Sequence, residues 1–211
     1  MALKKIFLLL STVILFAFPS HAQNTVEPSL NAEEHELTSW LDSQEDNMLE
    51  MLERITNINT SSLNKAGINE LASIFSEELK QLGFTLSSLP GEVIEMPSCP
   101  GSDYNVDVAD HVLASKSGSS SKLLVMGHLD TVFPPDSPFQ KFSRVGDTMY
   151  GPGVSDMKGG LVVMLYALKA LNENGGLQDK AITVLLNSDE EIGSLSSRKH
   201  LEEQAQLHDW G

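Results

Sequence analysis

Three short stretches carry the residue types of a hydrolytic metal site. They are MGHLDTV (Met126–Val132), YGPGVSDMKGG (Tyr150–Gly160) and NSDEEIGS (Asn187–Ser194). In an extended strand His128 and Asp130 face the same way, so Asp130 could orient the ring of a metal-binding His128; the simpler alternative is a hydrogen-bonded His–Asp pair. Asp156 follows an irregular Gly-Pro-Gly loop and precedes a helical pattern, where an N-cap is the simpler role. Asp189, Glu190 and Glu191 end an apolar run from Ala181 to Leu186. Adjacent carboxylates repel, and burying one is unfavourable unless something positive compensates. Either they form a solvated acidic turn, or a cation gathers them. With a cation, two neighbouring glutamates can divide the work, one as ligand and one as general base toward activated water. The separations His128–Asp156 and Asp156–Glu191 are 28 and 35 residues, about one strand–helix unit each.

Alternating helices and strands must hold these residues. Apolar residues at three- and four-residue steps predict a helix over Ala32–Ile55, a second over Ala66–Leu82 stopped by Gly83, and a third over Gly160–Asn172. A last helix covers Ser196–Gln206. Strands are expected at Phe84–Leu89, His111–Ser115, Lys122–Met126 and Ala181–Ser188, with a short β segment within Phe142–Tyr150. Gly118–Ser121 is a turn and Pro97–Tyr104 a loop. This alternation predicts an α/β sheet with helices on both faces, whose ligands gather at strand carboxyl ends. HLD and DEE both fall there.

The whole chain narrows the function further. Its 211 residues suffice for one domain with a core. A net charge of −15 excludes nucleic acid as a partner. Residues 1–22 read as a signal peptide: Lys4 and Lys5, an apolar stretch Ile6–Phe18, then Ser20-His21-Ala22 as the cleavage site. The apolar stretch is short for a membrane span, so an exported protein without a stable anchor is expected, periplasmic or secreted. Residues 23–30 read as a linker, and 31–211 as the N-terminal portion of a domain that would hold the three stretches. The single cysteine, Cys99, is expected to be an inert free thiol. Lys158-Gly159-Gly160 lacks the Ser or Thr of a phosphate loop. His35-Glu36 lacks the second histidine of a thermolysin-type protease.

GHLDTV, YGPGVSDMKGG and NSDEEIGS, in this order and spacing, resemble the glutamate carboxypeptidase family of co-catalytic zinc peptidases, which includes acetylornithine deacetylase and succinyl-diaminopimelate desuccinylase. The likeness runs from about Met48 to Asp209. EELKQLGF and AITVLLNSDEE fit the glutamate carboxypeptidase branch. The resemblance implies a three-layer α/β/α catalytic domain and two zinc ions. It implies His128 as ligand of one zinc, Asp156 as bridging ligand and Glu191 as ligand of the other. Asp130 would orient His128 and count as catalytic, and Glu190 would be the general base. It also implies a cis peptide after Asp156. The substrate would be a peptide or N-acyl amino acid, cut at the amide bond to a C-terminal residue that is glutamate-like in the named branch.

The family's catalytic domain continues beyond HLEEQAQLHDW with a further strand and further ligands, and carries an inserted lid and dimerisation domain. The family is homodimeric. The chain is therefore expected to represent an incomplete catalytic domain without that lid. One alternative is an inactive fragment of such an enzyme, another an N-acyl amino acid deacylase of the same family, and a third an acidic cation binder. His200 and His208 are expected at the surface on or after a polar helix. Asp189 has no role in this reading.

Overall fold

The computed structural model describes residues 29–96 and 104–211. The leader 1–22, most of the linker 23–30 and Cys99 lie outside the described residues.

The described residues begin with two helices, α1 (Ala32–Ser43) and α2 (Glu45–Thr56), where the periodicity predicted one. A capping box starts α1: the Asn31 side chain accepts the Glu34 N–H at 2.9 Å, and the Glu34 carboxylate accepts the Asn31 N–H at 2.8 Å. The break falls at Gln44 (φ −100°, ψ 2°), inside the polar run Asp42–Asp46. No apolar residue there spans the gap between the stripe of Leu37, Trp40 and Leu41 and that of Met48, Met51, Leu52 and Ile55. Helix α3 (Lys65–Gln81) buries Ile68, Leu71, Phe75 and Leu79 on one face, the 3.6-residue pattern of an amphipathic helix.

The strands β1 (Thr85–Leu89), β4 (His111–Lys116), β8 (Ala181–Asn187) and β5 (Lys122–His128) form one sheet in the order β1-β4-β8-β5. β1–β4 and β4–β8 pair antiparallel, while β8–β5 is parallel. Parallel neighbours require a crossover, and α4 (Lys158–Glu173) supplies it. Two small antiparallel pairs complete the structure: β2 (Val93–Met96) with β3 (Tyr104–Asp107), and β6 (Ser143–Val145) with β7 (Thr148–Tyr150). The β2–β3 pair was not expected from sequence, and Tyr104 opens a strand rather than closing a loop. A last helix, α5, spans Arg198–Leu207.

Strand β8 is buried on both faces. Ile182, Val184 and Leu186 join Phe75, Leu79, Leu161 and Leu165 in the main core. By the two-residue alternation of a strand, Thr183 and Leu185 face the other side. There His208, just past α5, places Nε2 2.8 Å from the Thr183 hydroxyl. The layers are thus helices, sheet and helix. Beyond α5 the chain turns along the outer edge of β5: Leu124 N–H donates to the Trp210 carbonyl at 2.8 Å, and Leu123 forms a parallel bridge with Trp210. None of the helices among the described residues is long and apolar enough to cross a membrane.

Candidate metal centre

The parallel register of β5 and β8 builds the site. His128 pairs with Asn187, and the Leu129 N–H donates to the Asn187 carbonyl at 2.8 Å. HLD and NSDEE therefore leave the sheet side by side. Asp156 arrives from the loop before α4, through a cis Asp156–Met157 peptide. It does not cap that helix: the N-cap is Met157, without a side-chain hydrogen bond. The Asp156 carboxylate stands 2.9 Å from His128 Nε2 instead. His128, Asp156 and Glu191 each offer a ligand atom, all within 4.8 Å of one another. His128 is buried, Glu191 half-buried, and Asp156 and Glu190 exposed.

The packing beneath His128 depends on a glycine. A Cβ on Gly127 would stand 2.8 Å from Leu161 Cδ2 and 3.1 Å from Met157 Cε. Without it, Met157 closes on the strand, and its sulfur lies 3.1 Å from the His128 nitrogen.

Asp130 is fully buried and ties the stretches together. Its carboxylate accepts the backbone N–H of Glu190 and of Glu191, each at 3.1 Å, and the Ser62 hydroxyl at 2.6 Å. The orientation of His128 differs from the expected acid–imidazole bond. The nearer partner of Nδ1 is the Asp130 carbonyl oxygen at 3.0 Å, with the carboxylate at 3.4 Å. Nδ1 engaged in this way leaves Nε2 facing Asp156, the arrangement that prepares an imidazole for a cation.

Asp189 has a different duty from its neighbours. It is fully buried, and its Oδ2 accepts the backbone N–H groups of Ser196 and Ser197 at 2.7 and 3.2 Å. Its carbonyl accepts the Ser194 N–H at 2.8 Å. Asp189 thus closes the loop that carries the 3-10 turn Glu190–Ile192. Gly193 ends that turn at φ +94°, a conformation that favours glycine. Ile192 packs on Ile94, Val106 and Val108, so the β2–β3 pair supports the turn from outside. The signal for Asp189 was legible only as the first member of an acidic run.

The electrostatics suit a cation. Burial alone would lower the His128 pKa, but its bonds to Asp130 and Asp156 raise it to about 9. Burial pushes the Glu191 carboxyl up; the nearby Asp130, Asp156 and Glu190 add to this and His128 opposes it. Among the described residues no lysine or arginine forms a salt bridge with Asp156, Glu190 or Glu191. One imidazole beside clustered carboxylates is a donor set that fits zinc. His200 and His208 are not part of this cluster. Neither is fully at the surface: His208 bonds Thr183, and the His200 ring lies 6.1 Å from that of buried His111.

The profile of peptidase family M20/M25/M40 matches residues 124–210, the segment from β5 past α5. Carboxypeptidase G2 of Pseudomonas sp. (strain RS-16) is 36% identical over 165 residues, 77% of this chain and 37% of that protein. The chain belongs to the M20/M25/M40 peptidase family. Solved structures share the fold. Human carnosine dipeptidase 1 superposes with a TM-score of 0.67 at 18% identity, covering 81% of this chain and 38% of that one. A Saccharomyces cerevisiae dipeptidase gives 0.67 at 22% identity, covering 82% and 38%. An M20 metallo-carboxypeptidase of Sulfolobus solfataricus gives 0.58 at 24% identity, covering 78% and 36%. The chain thus spans well under half the length of each of these proteins.

Proposed function

We propose that this chain forms part of an exported, zinc-dependent exopeptidase of carboxypeptidase type. It would cut the amide bond to a C-terminal residue, with a glutamate-like residue as the first substrate to try. The observation that carries the reading is the convergence of His128, Asp156 and Glu191 within 4.8 Å from three separate segments. Glu190 stands beside them, and Asp130 anchors both glutamates beneath. The likeness to carboxypeptidase G2 supports the carboxypeptidase type.

His128 and Glu191 would each hold one of two zinc ions, with Asp156 shared. Bound zinc supplies Lewis acidity toward water and the amide carbonyl. The chain's own residues do the rest. Exposed Glu190, held at its backbone by Asp130, takes a proton from the attacking water on its carboxylate and delivers it to the leaving amine. Buried Asp130 keeps His128 and the glutamate pair in register. The dimeric state follows the family and is part of the proposal, as is export by the leader 1–22.

The test is metal content and hydrolysis of C-terminal glutamyl peptides and N-acyl amino acids, for the full-length protein and its Glu190→Gln variant. Expected are zinc retained in both and turnover lost in the variant. A Glu190→Gln enzyme with undiminished turnover would remove Glu190 from the reaction. Hydrolysis of N-acyl amino acids alone would favour the deacylase.

A further inference from the structure

We propose that Ser62 is a positioning residue of this centre, fixing the Asp130 carboxylate that in turn holds the backbone of Glu190 and Glu191. The inference rests on the metal-hydrolase reading for its consequence, but not for its geometry. Ser62 is 5% exposed and donates to Asp130 Oδ2 at 2.6 Å, the shortest of the three bonds to that carboxylate. It lies in the loop between α2 and α3, 68 residues before Asp130, in a segment without acid, histidine or cysteine.

That loop is built as a bracket. Thr131 N–H donates to the Thr60 carbonyl at 2.8 Å, and Ser62 N–H donates to the Thr131 carbonyl at 3.3 Å. The Asn59 amide donates to the Phe133 carbonyl at 3.0 Å. From the other side, the buried Lys158 ammonium donates to the Ile58 carbonyl at 2.8 Å. Residues 58–62 therefore touch both the segment that follows β5 and the first residue of α4, two residues past Asp156. These bonds hold Ser62 beside Asp130, and its hydroxyl adds a third donor to that carboxylate. Once that carboxylate is set, its two oxygens meet the two adjacent amides of Glu190 and Glu191, one each. Without the hydroxyl, Oδ2 keeps a single donor and only the two amides hold the carboxylate.

Ser62 is not a nucleophile in this arrangement. Its hydroxyl donates to a carboxylate, no imidazole among the described residues is bonded to its oxygen, and it is buried under Asp130. It acts through Asp130, like the outer partners that orient metal ligands elsewhere.

The test is site-resolved amide hydrogen exchange, with cobalt(II) titration, on the chain and its Ser62→Ala and Ser62→Thr variants. In Ser62→Ala the Glu190 and Glu191 amides are expected to exchange about tenfold faster or more. Val184 and Leu185 in β8 should keep their protection. Cobalt(II) affinity should fall about 10- to 100-fold, and Ser62→Thr, which keeps a hydroxyl, should restore both. Unchanged exchange at Glu190 and Glu191 in Ser62→Ala would overturn the proposal. If Ser62→Ala loses protection throughout, Ser62→Cys, similar in shape but a weaker donor, is read by the same two amides and with the same consequence. Faster exchange in a chain that binds no cobalt(II) even as wild type would count against the metal reading and still support the positioning role.

Discussion

His128 Nε2 and Asp156 Oδ1 lie 2.9 Å apart, although 28 residues and a complete change of secondary structure separate them. Without a metal, the raised pKa of His128 keeps a proton on its ring at neutral pH, where a cation would bind. Its pKa of about 9 reflects Asp130 and Asp156 outweighing burial. A metal must displace that proton, so affinity should rise with pH, about tenfold per unit between pH 6 and 8. Chelator-competition titrations at three pH values check this. A pH-independent affinity would mean that Nε2 is not a ligand.

The same proton has a stability consequence. The folded-state pKa of His128 is raised, so its contribution to metal-free stability is complete below the ordinary value near 6.5 and is lost as pH rises toward 9. Urea midpoints of the metal-free protein should fall between pH 7 and 9, and saturating zinc should abolish that fall.

His111 works in the opposite direction. It is fully buried, accepts the Ser188 N–H on Nδ1 at 3.1 Å, and places Nε2 3.2 Å from the Ser196 hydroxyl. Burial lowers its pKa, with His200 acting the same way, against Asp189, Asp110 and Asp130. Its stabilising contribution is present above pH 6.5 and lost as pH falls through the depressed folded value. Denaturant midpoints should drop between pH 6.5 and 5, and His111→Gln should flatten that slope. An unchanged slope in the variant would rule His111 out as its source.

Asp189→Ala should cost on the order of 3 kcal/mol. It leaves the Ser196 and Ser197 amides without their acceptor in a buried setting. Chemical denaturation measures the loss. A cost below about 1 kcal/mol would show that the loop finds other partners.

Gly127→Ala should cost about 1–3 kcal/mol, because the added methyl meets Leu161 and Met157. Metal affinity should fall as well, since Met157 sits beneath His128 and next to Asp156. Loss of stability with full metal affinity would show that Met157 does not help to place either residue.

Much of the centre was legible in the chain itself. Strand periodicity and carboxyl-end placement locate His128, Asp156, Glu190 and Glu191, because a ligand's residue type and its position after a strand are both local properties. The helices α3, α4 and α5 and the strands of the main sheet follow from apolar spacing for the same reason. The α1–α2 break was not visible, because two stripes of similar period read as one across a polar gap. The β2–β3 pair escaped because four-residue strands gain their stability from each other and from Ile192, not from local pattern.

The sequence alone determined the chemical types at the centre, the secondary structure that carries them and the α/β class, all set by neighbours a few residues apart. Only the tertiary structure decided what Asp189, the acid left without a role by the sequence, does beside the other two. Asp189 turns inward to two amides, Glu191 joins His128 and Asp156, and Glu190 stays exposed. It also brought Ser62 to Asp130. A hydroxyl becomes a specific partner only when burial removes water as its competitor, and burial depends on how distant segments pack.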